Sequence, residues 1–184
     1  NVLGKTYTLN GDVNTSGATC FNVEAPNVVL DCSGYRLIGN NASGTFGIYS
    51  NQSNTRIINC NISGFSTGIY FNSSNYSSIE SSSTYGKSFG IVFNKTSNSS
   101  MSSSITNTEL HGIYLESSDY NNITTSIGKS ASGTGHGIYL VSSNYNRLID
   151  VNGNSNAADG IGIYINSGGN NQVINSTMSS NGNG

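Results

Sequence analysis

The chain has 184 residues, 9% of them charged, and a formal net charge of −2. No basic cluster points to nucleic acid, and no run approaches the length of about 18 apolar residues that would span a membrane. Asn and Ser make up roughly a third of the chain, a polarity usual in disordered segments. Here, however, the sparse apolar residues recur at fixed intervals.

The first 46 residues read as a variant N-terminal unit. KTYTLN over Lys5–Asn10 predicts a lone strand. Phe21 with Val23, then Val29 and Leu30, then Tyr35, Leu37 and Ile38 predict further strands, and 39–44 forms a longer loop. From residue 47 the chain becomes regular. A Gly-Ile-aromatic triplet or a close variant begins at Gly47, Gly68, Gly90, Gly112, Gly137 and Gly162, in steps of 21, 22, 22, 25 and 25 residues. A fixed period in this range marks a repeat architecture. Residues 47–161 are the regular units, and 162–184 is an incomplete last one. No linker or second domain is visible.

Each unit carries two apolar groups. Ile48, Ile69, Ile91, Ile113, Ile138 and Ile163 follow the glycines, and Ser50, Phe71, Phe93, Leu115, Leu140 and Ile165 stand two residues further on. Spacing of two places both columns on the buried face of a short strand. Ile58, Ile79, Met101, Ile123, Leu148 and Val173 form another expected inward column, supplemented by Ile62, Ile105 and Ile127. Between them lie polar turns such as NSSNY and ESSDY, in which Asn and Asp tolerate left-handed backbone. Short strands, tight turns and closure after 22–25 residues predict an all-β, right-handed, single-stranded parallel β-helix of about seven coils. A helical solenoid needs apolar spacing near 3.6, and a β-sandwich does not predict identical columns at a fixed period.

The phrases NVVLDCSGYRLIG at Asn27–Gly39, RIINCNISGFSTGIYF at Arg56–Phe71 and the later GIYL units resemble the parallel β-helix repeats of the NosD-like, carbohydrate-binding and sugar-hydrolysis superfamily. Archaeal and bacterial surface proteins use such units. The resemblance implies the fold over nearly the whole chain. For function it implies only a range, from polysaccharide cleavage to copper delivery, because the repeated residues are scaffold.

Cleavage of a polysaccharide needs paired carboxylates or an acidic calcium cluster with a basic partner. The nine acids mostly stand alone; Glu109, Glu116 and Asp119 come nearest to a cluster, with no Arg before Arg147. We therefore expect no enzyme and no cofactor. His111 and His136 occupy one column in consecutive coils, where two imidazoles can meet a copper or zinc ion. Phe46, Thr67, Phe89 and Ile161 share that column and no third ligand is apparent, so packing is expected rather than a metal site. Cys32 and Cys60 fall in register on adjacent coils, within disulfide range, with Cys20–Cys32 as the rival pairing.

Tyr49, Tyr70, Tyr114, Tyr139 and Tyr164 form an outward ladder interrupted by Val92, and Tyr76, Tyr120 and Tyr145 mark a turn. Such aromatics suit sugar rings or a lateral partner, or they shield the sheet. Asn-x-Ser/Thr acceptor triplets stand at Asn14, Asn41, Asn51, Asn61, Asn72, Asn75, Asn94, Asn98, Asn122 and Asn175, so glycans, covalent or bound, are candidate partners. The chain starts at Asn1 without a leader in view, as a mature chain or an excised fragment would.

The leading expectation is a non-catalytic structural protein at the cell surface that self-associates head to tail. The strand near Tyr7 and Leu9 would complete the sheet left open around Val173 and Thr177 in a neighbour. A carbohydrate-binding or carbohydrate-cleaving module and a copper-related periplasmic protein are the alternatives.

Overall fold

The computed structural model describes residues 2–181. These residues form strands and turns only, and no helix is long and apolar enough to cross a membrane. Coil by coil, the strands are β1 (Thr6–Thr8), β2 (Val13–Asn14) and β3 (Phe21–Val23); β4 (Val29–Asp31), β5 (Arg36–Ile38) and β6 (Phe46–Ser50); β7 (Arg56–Ile58) and β8 (Asn61–Asn72); β9 (Ser78–Glu80) and β10 (Ser83–Asn94). Then follow β11 (Ser100–Ser102), β12 (Ile105–Thr108) and β13 (His111–Glu116); β14 (Asn122–Thr124), β15 (Ile127–Ser130) and β16 (Ile138–Val141); β17 (Arg147–Ile149), β18 (Asn152–Ser155) and β19 (Ile163–Asn166); β20 (Gln172–Ile174) and β21 (Thr177–Ser180).

Each strand pairs in parallel with its counterpart one coil away. One eight-stranded sheet runs β1-β4-β7-β9-β11-β14-β17-β20. The other thirteen strands form a two-limbed sheet, joined where β8 and β10 run through both limbs. The result is a parallel β-helix of eight coils. The sequence suggests about seven; the count differs because β1, β2 and β3 already make a coil of their own.

The core is a stack of like on like. Ile48, Ile69, Ile91, Ile113 and Ile138 are in register and fully buried, as are Phe71, Phe93, Leu115 and Leu140 beside them. Phe71 meets Phe93 edge to face at 5.7 Å. The glycine that opens each triplet is required by close approach. A Cβ on Gly68, Gly90 or Gly112 would lie 2.5–2.6 Å from the carbonyl oxygen of the next coil's glycine, nearer than nonbonded carbon and oxygen can come.

Three expected inward positions, Ile58, Ile105 and Ile127, are corrected. Ile57, not Ile58, pairs with Ile79 and is buried, while Ile58 pairs with Glu80. Ile62 points inward, but its register partners are Thr84 and then Thr106; Ile105 faces out at 42% exposure and Ile127 is half-buried. The step from Gly47 to Gly68 is one residue shorter than the next two, and a slip of one residue turns a strand side chain to the opposite face.

The turn residues are not simply solvated. Ser74, Ser77, Ser99, Ser118, Asn121, Ser143 and Asn146 are buried. Asn121 accepts the Ser99 N–H at its Oδ1 (2.9 Å) and donates from Nδ2 to the Thr96 carbonyl (2.8 Å); Asn146 repeats both bonds one coil on, with Asn121 N–H and the Ser118 carbonyl. The high Ser and Asn content is thus partly interior, where most of these polar groups are met within their own coil or from the coil before or after, Asn122 Oδ1 being an exception.

Shortening Ile113 to Ala should cost about 2–5 kcal/mol in denaturant unfolding. Ile113→Asp, which sets an unpaired charge between two coils, should give no cooperative transition in circular dichroism.

Candidate functional site

Two aromatic surfaces run along the outside. The first is the outward ladder together with the column before the glycines. Tyr49 stacks on Tyr70 at 5.9 Å and 14°, and Tyr139 on Tyr164 at 5.2 Å and 17°. Tyr114 lies 5.3 Å from Tyr139, and Phe89 packs on Tyr114 at 5.4 Å. Amides tie the hydroxyls down: Asn72 donates to Tyr49 Oη and Asn94 to Tyr70 Oη. Burial, helped by nearby Glu116, pushes the Tyr114 hydroxyl up to about 12, and burial also raises Tyr70. These rings cover one another's faces, so the strip offers mainly edges to solvent. At Val92, buried at the break in the ladder, no tyrosine is present.

The second surface is a corner. Asn27, Asn54, Tyr76, Asn98, Tyr120, Tyr145 and Asn170 succeed one another along it, all with φ between 55° and 59°, and the N–H groups of the first six bond carbonyls of the following coil. Asn adopts this left-handed region readily; a bulky aromatic does so at a cost. The three tyrosines are the most open aromatics of the ladder and corner, at 66%, 56% and 47% exposure for Tyr76, Tyr120 and Tyr145. Tyr120 and Tyr145 lie parallel at 4.9 Å and 3°. Next to them Asp119 accepts hydrogen bonds from the Asn144 N–H and Nδ2.

The histidines stack at 5.2 Å. His111 Nδ1 accepts the His136 N–H and His136 Nδ1 accepts the Ile161 N–H, each at 3.0 Å. Burial, and then the neighbouring His136, hold His111 down to about 4; burial lowers His136 as well.

The acids do not assemble. Asp12 is held below the usual carboxylate range by its bonds to Arg36, and Glu80 by its bidentate pair with Arg56 (2.8 and 3.0 Å). Glu109 and Glu116 are exposed and precede and end β13, with Asp119 beyond in the turn. Among the described residues no group of three His, Cys, Asp or Glu is placed to hold a metal ion.

Cys32 and Cys60 are joined as a disulfide with Cα atoms 4.8 Å apart, linking successive coils. Cys20 is a free, half-buried thiol pushed up to about 11 by burial. Of the acceptor triplets, Asn14, Asn41, Asn51, Asn98 and Asn175 are exposed; Asn61, Asn72, Asn75, Asn94 and Asn122 are half-buried, and Asn72, Asn75 and Asn94 are engaged in hydrogen bonds.

At the N-terminal end Tyr7, Leu9, Phe21, Val23, Val28 and Leu30 line an apolar cavity of about 330 Å³. At the other end Val173, Ile174 and Met178 are exposed, as is Thr177. Tyr7 belongs to the sheet of Val173, whereas the sheet of Thr177 begins with β2, so the strand in line with Thr177 is Val13–Asn14 and not the one near Tyr7 and Leu9. The pattern of strand spacing cannot assign a short strand to one of two sheets without the coil's corners.

Sequence reasoning missed two things. One is the backbone strain at the tyrosine corner; its signal was the alternation of Asn and Tyr at one offset. The other is the acceptor role of the histidines, which has no signal in spacing alone.

The family model described as periplasmic copper-binding protein (NosD) matches residues 2–184, and the chain belongs to that family. Among solved structures, the A-module of the mannuronan C-5 epimerase AlgE4 from Azotobacter vinelandii is similar at TM-score 0.50 and 11% identity, over 93% of this chain and 57% of that one. At this identity the likeness is one of fold, and this chain spans little more than half of that module. No curated protein matches.

The copper named in the family's description fits the residues present poorly. Two imidazoles whose Nδ1 atoms already accept main-chain N–H groups, without a third ligand, are not a copper donor set.

His111 titrates near 4 when folded and near 6.5 when unfolded. Between these values the unfolded chain takes up a proton that the folded one refuses. The stability contribution is therefore complete above about pH 6.5, is lost as pH falls toward about 4, and is flat below. Thermal melts from pH 7 to pH 4 should show the midpoint falling, and His111→Phe should make that fall shallower.

Proposed function

We propose that this chain is a non-catalytic, carbohydrate-binding β-helix of a protein exported from the cytoplasm, and that neutral, extended glycan lies along the tyrosine corner. The observation that carries this reading is the presence of Tyr76, Tyr120 and Tyr145 at left-handed positions where Asn serves the fold at four other rungs. Strain retained at an exposed position marks a side chain kept for contact. Tyrosine combines a flat apolar face for sugar C–H groups with a hydroxyl for hydrogen bonding, and Asp119 and Asn144 add polar groups beside it. Arg36 and Arg56 are engaged in ion pairs in a chain with seven Lys and Arg in all, which favours a neutral polymer over an anionic one. The family's periplasmic description and the Cys32–Cys60 bridge, which suits an oxidising compartment, support a place outside the cytoplasm.

The test is affinity electrophoresis through a panel of neutral and anionic polysaccharides. Tyr76→Asn, Tyr120→Asn and Tyr145→Asn should leave the thermal midpoint unchanged or raised, since Asn is less strained there. The triple variant should lose at least ten-fold in affinity for the neutral polymer that retards the parent. Equal retardation of the two, or none of the parent, overturns the reading.

A second reading, head-to-tail assembly into a surface filament, is supported by the apolar residues exposed at both ends. Eight rungs at about 4.8 Å predict an axial repeat near 38 Å. Negative-stain images of concentrated protein should contain fibres with that repeat; single particles alone would remove it.

A further inference from the structure

Within the column that precedes the glycines, the residue type follows the state of the ladder. Phe46, Thr67, Phe89 and His111 are register partners in succession, and their main chains are paired. Beyond His111 the pairing is one-sided: the carbonyls of His136 and Ile161 still accept the N–H groups of Gly112 and Gly137, while their own N–H groups bond histidine nitrogens. β13 and β16 are in register only from Ile113 and Ile138 onward, and β16 and β19 only from Ile138 and Ile163. The cause lies in the sequence: the two steps that follow Gly112 are 25 residues against 22 for the two before it, and the added residues lie between β15 and β16 and between β18 and β19. After each enlarged turn the chain re-enters the stack with a main-chain N–H, of His136 and then of Ile161, outside the regular ladder. A buried or half-buried N–H without an acceptor is costly.

The only two histidines of the chain stand one coil below these two amides, and each places Nδ1 at 3.0 Å from one of them. We propose that His111 and His136 are positioning residues: their imidazoles replace the missing ladder acceptor where the coil has been enlarged, and for that reason they are not copper ligands. A main-chain N–H can only donate, so each Nδ1 is unprotonated, and the neutral ring carries its proton on Nε2. Metal bound at Nε2 requires the opposite arrangement, with Nδ1–H donating to an outer partner. Metal at Nδ1 would displace the main-chain bond itself. The rings are also packed: His111 contacts Phe89, Tyr114 and Tyr139, and His136 contacts Tyr139 and Tyr164. Phe or Thr fills the column where the ladder is intact, and His where an acceptor is needed. This inference is independent of the carbohydrate reading.

Nitrogen-15 spectra of the whole chain at pH 7 should place both imidazoles in the Nε2-protonated tautomer. In His111→Phe the His136 amide should exchange with solvent at least ten-fold faster, and His111→Asn, whose Oδ1 can accept, should restore part of the protection. Added Cu(II), or Cu(I) under reductant, should leave both ring spectra unchanged. An Nδ1-protonated tautomer in either ring overturns the proposal, as does one equivalent of copper that is bound by the parent and lost in His111→Asn. Unaltered exchange of the His136 amide in His111→Phe overturns it equally. The parent spectra alone decide the matter if a variant fails to fold.

Discussion

Every coil of this protein exists because another coil, about 4.8 Å away, meets its main chain in the same register. A single coil closes no hydrogen-bond ladder and buries its apolar residues against nothing. Stacked, it finds Ile on Ile, Phe on Phe and Asn on Asn. This constraint is unusually strict, since a one-residue slip moves a whole side to the opposite face. The unit with a 21-residue step accommodates its missing residue by a local change of which isoleucine turns inward, not by a change of register further along.

The same constraint explains how a chain with so little charge and so much Ser and Asn folds at all. Each of the last five coils has three left-handed non-glycine positions, two in the turn before its first strand and one just after that strand, and they hold Asn, Ser, Thr and Asp together with Tyr and one Lys. Small polar side chains suit these corners, and inside the stack they become acceptors and donors for the main chain one coil away. Polarity here is structural. A core of fully desolvated hydroxyls and amides is stable only when each is met, and periodic repetition makes that possible, since a solution found for one coil serves the next.

Against this background the informative residues are those that depart from their column. The tyrosines at the asparagine corner depart in strain and exposure, and point to contact with something outside the molecule. The histidines depart because the main chain itself departs, at the two enlarged turns. Membership of the NosD family accounts for the coil and its period. The copper in the family's description does not extend to these two imidazoles, whose lone pairs are already committed. Fold and family are thus carried by the repeated residues, and function by the exceptions.

The sequence by itself determined the parallel β-helix, the length of its coil and the inward columns after each glycine, because those features are periodic and periodicity is visible in one dimension. It also brought Cys32 and Cys60 into register on adjacent coils. Which sheet a short strand such as β1 joins, whether Ile58 or Ile57 turns inward, and that Ser77 and Asn121 are interior while Tyr120 is not, were decided only by tertiary structure. Each depends on where a coil bends, and corner geometry is set by contacts with the coils above and below rather than by local residue type. The histidines show the limit most clearly. In sequence they are two imidazoles at one offset, as a metal site would be. Only the one-sided ladder around them reveals that what they face is a main-chain donor, and a donor cannot share a lone pair with a metal.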